Sequence, residues 1–220
     1  MKVRSLLIAT LVLAAAMVGF AFWVAARVPP GTELATHWNA AGEIDARAPA
    51  LWALLLPAGI TVILGLVFAA VPFIEPMQDR LEGSAPVMRA SWVGLLLLMV
   101  TVQMIEAAPA LGWPLGPNLL LVILGGVLMV IGNALPKSRP GFFVGIRTPW
   151  TITDTDIWIA THRMGGKLMM LVGAVFIVLG FVPLPPTARV PIIVAGAIGS
   201  GLIPAAYSWW LWHRKKKTHA

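Results

Sequence analysis

The residues best suited to chemistry in the first quarter of this chain are one histidine and two carboxylates within nine residues. His37, Glu43 and Asp45 all carry side chains that bind divalent metals. Their spacing matches none of the ligand patterns of structural or catalytic zinc sites. We therefore predict that these three residues form no metal site and that the protein binds no metal.

A catalytic site is equally hard to build from the other side chains. The chain contains no cysteine, which excludes thiol catalysis and disulfides. No HExxH motif is present, and Asp154 and Asp156 are two residues apart, so in a helix they would lie on different faces. His162 follows Trp158 by four residues, which predicts a packing pair on one helical face rather than a metal ligand. We predict that the protein is not an enzyme and has no cofactor.

The elements that carry these residues are made mainly of apolar sequence. The 220-residue chain is 59% hydrophobic and only 11% charged, whereas a soluble domain has about 25% charged residues. Helices long enough to cross a bilayer core of about 30 Å are predicted over residues 5–26, 51–74, 89–108, 118–134, 165–182 and 190–212. The predicted fold class is an all-α membrane protein, a polytopic bundle of about six transmembrane helices. The first stretch exceeds the usual apolar region of a signal peptide, so it is interpreted as an uncleaved helix.

Basic residues are distributed unevenly between the two sets of loops. If the N-terminus lies inside, that side holds 13 of the 16 lysines and arginines, and the other side holds only Arg27, Arg47 and Arg189. The positive-inside rule then predicts an inner-membrane protein with both termini in the cytoplasm. The basic residues that give the net charge of +7 are expected to interact with the anionic lipid surface, and no nucleic-acid partner is expected.

We expect one membrane domain with three parts. Residues 1–74 form an N-terminal two-span unit with an outer loop at 27–50, residues 75–134 form spans three and four, and residues 135–220 hold an inner loop and spans five and six. The spans are almost free of charge, which argues against a proton- or ion-coupled pump. Glu106, near the outer end of the third span, is either a functional carboxylate or an interfacial one near water.

The inner loop, residues 135–164, contains signals of a defined shape. Pro149 disfavours helical backbone at Thr148, which predicts a turn. Thr153 as an N-cap, with Asp156 three positions on, then predicts the start of a short helix at the membrane surface. The loop is therefore either a structured interfacial elbow or a functional surface.

Charged residues flank this short helix. Arg147 and Arg163 are expected to pair with Asp154 or Asp156, or with lipid phosphate. Elsewhere, the glycine-rich segments at 125–132 and 173–180 are similar in sequence, and we interpret them as shared low complexity rather than as a repeat.

The inner loop also resembles a known family. The sequence GIRTPWTITDTDIWIATHR at residues 145–163, preceded by GNALPKSRPGFF at 132–143, closely resembles the signature of the SdpI immunity-protein family. The outer loop, with His37-Trp38-Asn39 and then Gly42, resembles the small domain of unknown function that often precedes that family. Together the resemblances cover most of the chain.

The resemblance implies a six-span membrane protein that confers immunity to a secreted peptide toxin on its outer side. It also implies a membrane receptor that retains a soluble transcriptional repressor on its cytoplasmic side. A small-molecule or peptide transporter, or an envelope-maintenance protein without a ligand, remains the alternative. Candidate functional residues in the inner loop are Gly145, Arg147, Thr148, Pro149, Trp150, Asp154, Trp158, His162 and Arg163. Candidate contacts in the outer loop are His37, Trp38 and Asn39.

Overall fold

The six apolar stretches form six long helices in the computed structural model, which describes residues 3–218. Each of the six is long and apolar enough to cross a membrane, and they pack as a bundle. The predicted helical membrane fold is therefore confirmed. The long helices are α1 (Arg4–Ala25), α2 (Ala50–Ile74), α3 (Gln78–Leu111), α4 (Asn118–Ala134), α6 (Thr155–Phe181) and α7 (Pro186–Thr218), and a short helix, α5, covers Pro149–Thr153.

Helix α6 begins well before the predicted fifth span. The short surface helix expected just before that span is instead the first part of α6, so the prediction of a separate helix was wrong. Gly165 and Gly166 lie inside the helix, and both are buried against neighbouring elements. A Cβ on Gly165 would meet the side chains of Ile146 and Pro204. The first turns of α6 therefore belong to the same rigid element as its membrane segment.

The outer loop contains a β-hairpin that helical periodicity did not predict. Strands β1 (Glu33–Trp38) and β2 (Ile44–Pro49) pair antiparallel. In the turn, the Asn39 side-chain oxygen accepts the amide hydrogens of Ala41 and Glu43. Gly42 has φ of 89°, a left-handed backbone conformation that favours glycine.

The hairpin caps the core formed by the first three helices. Leu34 of β1 is buried in one apolar cluster with residues of α1, α2 and α3. Deeper in the bundle, the Gln103 amide donates to the backbone carbonyls of Met17 and Leu54, at 2.9 and 2.8 Å. One α3 side chain therefore links three helices where no water is available to satisfy these groups.

Successive long helices run in opposite directions, which gives the bundle two faces. We call the end that carries residues 135–154 the loop face, and the end that carries the hairpin the hairpin face. Both the start of α1 and the end of α7 lie at the loop face, where Lys215 contacts Asp154.

Helices α4 and α6 pack through facing glycines at seven-residue spacing. Gly132 faces Gly166, and a Cβ added to either would lie 2.7 or 2.5 Å from the carbonyl oxygen of the other. Gly125 faces Gly173 in the same way. The two glycine-rich segments at 125–132 and 173–180 therefore contribute to one antiparallel seam, in which the backbones approach too closely for a side chain.

We predict that Gly125→Ala destabilises the protein and that Gly126→Ala does not. A methyl group on Gly125 meets backbone atoms of Gly173 and Ile177, whereas one on Gly126 meets nothing within 4 Å. Overpacking of this kind costs about 1–3 kcal/mol, while Ala for Gly in a helix is otherwise favourable. The free energy of unfolding in detergent measures the difference. Equal stability of the two variants would show that the seam is not tightly packed.

Candidate functional site

A buried carboxylate holds the first part of the loop between α4 and α6. This segment, residues 135–154, is called the signature loop. Glu75, at the end of α2, is only 4% exposed. Its carboxylate oxygens accept the backbone amide hydrogens of Phe142 and Phe143 at 3.0–3.1 Å, and that of Met77 at 3.1 Å. Charge-assisted hydrogen bonds of this type are about twice as strong as neutral ones. Sequence analysis did not identify Glu75 as a site residue.

Two serines fix the backbone just before this point. Ser84 of α3 both donates to the Arg139 carbonyl and accepts the Arg139 amide hydrogen, each at 3.1 Å. The indole N–H of Trp158 donates to the carbonyl and hydroxyl oxygens of Ser138 at 3.2 Å. The start of the signature loop is therefore attached to α3 on one side and to α6 on the other.

A buried histidine and tryptophan hold the centre of the loop. The Ile146 amide donates to Nε2 of His162 at 2.8 Å, so Nε2 is the unprotonated nitrogen. Nδ1 therefore carries the hydrogen and donates it to the Trp158 carbonyl at 2.8 Å. The two rings stack with centroids 3.9 Å apart. Both imidazole nitrogens have partners, which leaves no lone pair for a metal.

Gly145 is required by this same packing. Its φ of 115° lies in the region that L side chains rarely adopt. A Cβ there would lie 2.5 Å from Nε2 of His162 and 2.8 Å from the Trp158 ring. Gly145, His162 and Trp158 thus form one contact unit in which the glycine lets the backbone pass over the rings.

The next residues attach the loop to α7. Thr148 and Thr151 form a reciprocal capping box at the start of α5. The Trp150 indole N–H donates to the Ser208 hydroxyl at 2.5 Å, and the Thr148 hydroxyl lies 3.1 Å from the same oxygen. The Trp150 ring stacks on Trp212 with centroids 5.8 Å apart. These contacts hold the short helix α5 at its N-cap, Thr148, and at Trp150 in its first turn.

Asp154 starts α6 and binds the end of α7. Its Oδ1 accepts the amide hydrogens of Asp156 and Ile157, so Asp154 is the N-cap. The prediction of Thr153 as the cap was wrong, because the Thr153 hydroxyl instead donates to the Pro149 carbonyl. The cap places acidic groups at the positive end of α6.

The cation that pairs with this acidic end is Lys215. Its ammonium lies 2.7 Å from Asp154 and 3.1 Å from Asp156. The predicted pairing of these carboxylates with Arg147 or Arg163 was therefore wrong. Arg147 instead donates to the carbonyl of Phe142 at 2.8 Å, which braces the loop within itself.

The pKa of the Asp154 carboxyl follows from these contacts. Partial burial works to raise this pKa, but the hydrogen bond from Lys215 and those from the Ile157 and Asp156 amides outweigh it and hold the pKa below its ordinary value. A depressed carboxyl pKa means that the contact is fully formed at neutral pH and is lost only as the pH falls through that pKa.

The nine residues selected in the inner loop therefore divide into two groups. Gly145, Thr148, Trp150, Asp154, Trp158 and His162 make the internal contacts just described. The side chains of Arg147, Pro149 and Arg163 are exposed at the loop face, although Arg147 also donates to the Phe142 carbonyl. The exposed rings of Phe142 and Phe143 extend this face. The loop is a fixed scaffold with an exposed basic and aromatic surface.

The outer candidates lie on the hairpin. Nδ1 of His37 lies 2.6 Å from the Asp45 carboxylate, whereas the Glu43 carboxylate accepts a hydrogen bond from the Asn39 amide at 2.9 Å. The structure thus brings together two of the three residues considered as metal ligands and directs the third elsewhere. Within residues 3–218, no group of three or more histidine or acidic side chains is placed to hold a metal ion.

Comparison with known proteins supports the resemblance noted from the signature sequence. Residues 137–208 match the model of the SdpI/YfhL protein family, so the signature loop together with α5, α6 and most of α7 is SdpI-like. The immunity protein SdpI of Bacillus subtilis (strain 168) is 27% identical to this chain over 88 residues. That alignment covers 40% of this chain and 42% of the Bacillus protein. No solved structure shows significant similarity to the chain.

We predict that Glu75→Gln releases the start of the signature loop. The amide side chain cannot replace a carboxylate that accepts several N–H groups, and hydrogen bonds to a charged group contribute about 1.5–3 kcal/mol. Hydrogen exchange at Phe142 and Phe143 should accelerate by about tenfold or more, as measured by mass spectrometry. The exposed Glu33 provides the control, and Glu33→Gln should leave these amides unchanged. Unchanged exchange in Glu75→Gln would contradict the assigned contacts.

Lys215→Gln should raise the pKa of Asp154 towards the ordinary aspartate value of about 3.9. Burial of the carboxyl raises its pKa, and without the ammonium the main interaction that lowers this pKa is lost. The titration of ¹³C-labelled aspartate, followed by NMR, reports the change. Lys216→Gln is the matched control, because the Lys216 ammonium lies over the Trp212 ring rather than against Asp154. If the two variants titrate alike, the ion pair is absent in solution.

Proposed function

We propose that this chain is an SdpI-like immunity protein that protects its cell against a secreted peptide toxin. The observation that carries the proposal is the family match, which begins at the signature loop and extends through α5, α6 and most of α7. The immunity named for the Bacillus relative supports the same role here. Among the described side chains, no buried nucleophile–base pair or metal cluster suggests a reaction, so protection is proposed to rest on binding.

The proposed orientation places the loop face in the cytoplasm. Within residues 3–218, the helix directions put 12 of the 15 lysines and arginines in the half of the bundle nearer that face. Lys2, the thirteenth in the sequence-based count, lies outside the described residues. Cytoplasmic loops carry such an excess. The hairpin then faces outwards, where a secreted toxin arrives first, and His37, Trp38 and Asn39 are its proposed contacts.

A signalling role would use the opposite end of the molecule. Exposed Arg147 and Arg163 provide a basic surface that suits an acidic patch on a soluble repressor. Helix α7 connects the two faces, since it starts beside the hairpin face and is attached to the signature loop through Ser208 and Lys215. A toxin that shifts the start of α7 would therefore bias the position of the loop.

Transport of a small molecule or peptide is the second candidate, and one observation favours it. Glu106 is 1% exposed and its Oε2 has no hydrogen-bond partner. The expectation of an interfacial carboxylate near water was therefore wrong. A carboxyl within a membrane span is a common site of proton transfer in transporters. An envelope-maintenance protein without a ligand would need neither this group nor an outward-facing site.

Protection is expected in Bacillus subtilis cells that lack their own SdpI and are exposed to the toxin which that protein neutralises. Cells that produce this chain should survive. Arg163→Glu should reduce survival at an unchanged membrane level, because it reverses a charge of the proposed partner surface without breaking an internal contact. Trp150→Ala should instead reduce survival and membrane level together, since it removes the contacts to Ser208 and Trp212.

Lys217→Glu is the matched control for the reversed charge, because Lys217 is exposed in the tail of α7, beyond the signature loop. One such charge contributes only about 1 kcal/mol of attraction to an anionic lipid surface. Survival no better than that of cells without the chain would refute the immunity proposal. Full survival of cells with Arg163→Glu would instead show only that the loop face takes no part in protection.

A further inference from the structure

A small cavity at the hairpin face joins three elements that are distant in the sequence. Its volume is about 160 Å³, enough for one large side chain but not for a folded partner. The turn of the hairpin forms one wall, and the first turns of α4 and α7 form the others. The lining residues used below are Trp38, Asn39, Leu120, Leu124, Arg189 and Ile193.

Arg189 is the cationic group in this lining, and its bonding capacity is incompletely used. One guanidinium nitrogen donates to the side-chain oxygen of Asn118 at 2.5 Å. The Nε–H of the same guanidinium is buried and has no partner. Within residues 3–218, no carboxylate lies within ion-pair distance of Arg189. The guanidinium therefore lines the cavity without a counter-charge, and an anion in the cavity would supply one.

The other polar side chain of the lining is already satisfied. Asn39 donates to the Glu43 carboxylate and accepts two amide hydrogens of its own turn. The Glu43 carboxylate, the acidic group on the turn, is therefore hydrogen-bonded to Asn39. Arg189 is therefore the charged group left to recognise a ligand, and the indole N–H of Trp38 is a second, neutral donor in the lining.

The remaining side chains used here are mainly apolar. Trp38, Leu120, Leu124 and Ile193 present an indole and three aliphatic side chains beside the guanidinium. A ligand that fits both parts carries one anionic group immediately next to one apolar side chain. The C-terminal residue of an apolar peptide has this structure. A phospholipid headgroup fits less well, because its glycerol and headgroup atoms would meet few polar partners.

We infer that this cavity binds the C-terminal carboxylate and last apolar side chain of a secreted peptide, with Arg189 as the carboxylate ligand. The inference rests on the proposed immunity function and adds to it the chemical class of the peptide end that is recognised. Arginine binds carboxylates in a planar, two-point geometry. A peptide with an amidated C-terminus would offer no charge to the guanidinium.

The test uses the full chain in nanodiscs of phosphatidylcholine, which carries no net charge. The probes are N-acetyl-Leu-Leu-Leu with a free C-terminal carboxylate and the same tripeptide with a C-terminal amide. Equilibrium binding of each radiolabelled probe is measured. The carboxylate form should bind at least about tenfold more tightly, as expected for one charged hydrogen-bonding contact.

Arg189→Gln should abolish this preference, because glutamine retains a donor for Asn118 but loses the charge. Arg47→Gln is the matched control, since Arg47 is another arginine of the hairpin face, exposed on β2 and absent from the cavity lining. Its preference should equal that of the unmodified chain. The comparison of the two probes on the unmodified chain does not depend on the folding of any variant.

Three results would overturn the inference. The first is equal binding of the carboxylate and amide probes. The second is loss of the preference in Arg47→Gln as well as in Arg189→Gln. The third is weaker binding of the carboxylate probe when the chain is placed in nanodiscs that contain phosphatidylglycerol, with this weakening lost in Arg189→Gln. The occupant would then be an anionic lipid.

Failure of the site and failure of the immunity proposal give different outcomes. Toxin survival is measured for the unmodified chain and for Arg189→Gln alongside binding. If the unmodified chain protects cells but the carboxylate preference is absent, the cavity assignment falls and immunity stands. If the preference depends on Arg189 but the unmodified chain does not protect, immunity falls and the binding site stands.

Discussion

The signature loop depends on one constraint: irregular backbone that is buried at the end of a membrane bundle must find its hydrogen-bond partners within the protein. Helices pair most of their own amide hydrogens with their own carbonyls, whereas most of the chain between α4 and α6 lacks this regular pattern of backbone hydrogen bonds. Glu75 takes two of its amide hydrogens, Ser84 binds the backbone of Arg139, and His162 accepts the amide hydrogen of Ile146. The loop therefore has a fixed shape because polar side chains of three helices surround it.

These contacts connect the loop to the rest of the bundle in a definite order. The glycine seam brings α4 and α6 so close that their ends at the loop face are fixed relative to each other. Trp150 and Asp154 then attach the loop and the start of α6 to α7. Because α7 also contributes Arg189 to the cavity at the hairpin face, one helix links the proposed toxin site to the proposed partner surface.

The sequence predicted the six helices because their length and apolar character do not depend on neighbours. It did not predict the hairpin, although the turn-forming Asn39 and Gly42 separate two short stretches of extended chain. Seven-residue spacing of Gly125 and Gly132 was visible, but only the structure showed that α6 faces it. The pairing of Lys215 with Asp154 spans 61 positions, so no local pattern identifies it, and nearby arginines were the reasonable but wrong expectation.

The central claim is that the family signature encodes a fixed loop built around His162. The most direct measurement is ¹⁵N NMR of the histidine side chains at neutral pH, with His162→Asn used to assign its signal among the four histidines. The structure predicts a neutral ring that is protonated at Nδ1 and unprotonated at Nε2, because Nε2 accepts from Ile146 and Nδ1 donates to Trp158. A ring protonated at Nε2, or at both nitrogens, would contradict the claim, since the Ile146 amide would then have lost its acceptor.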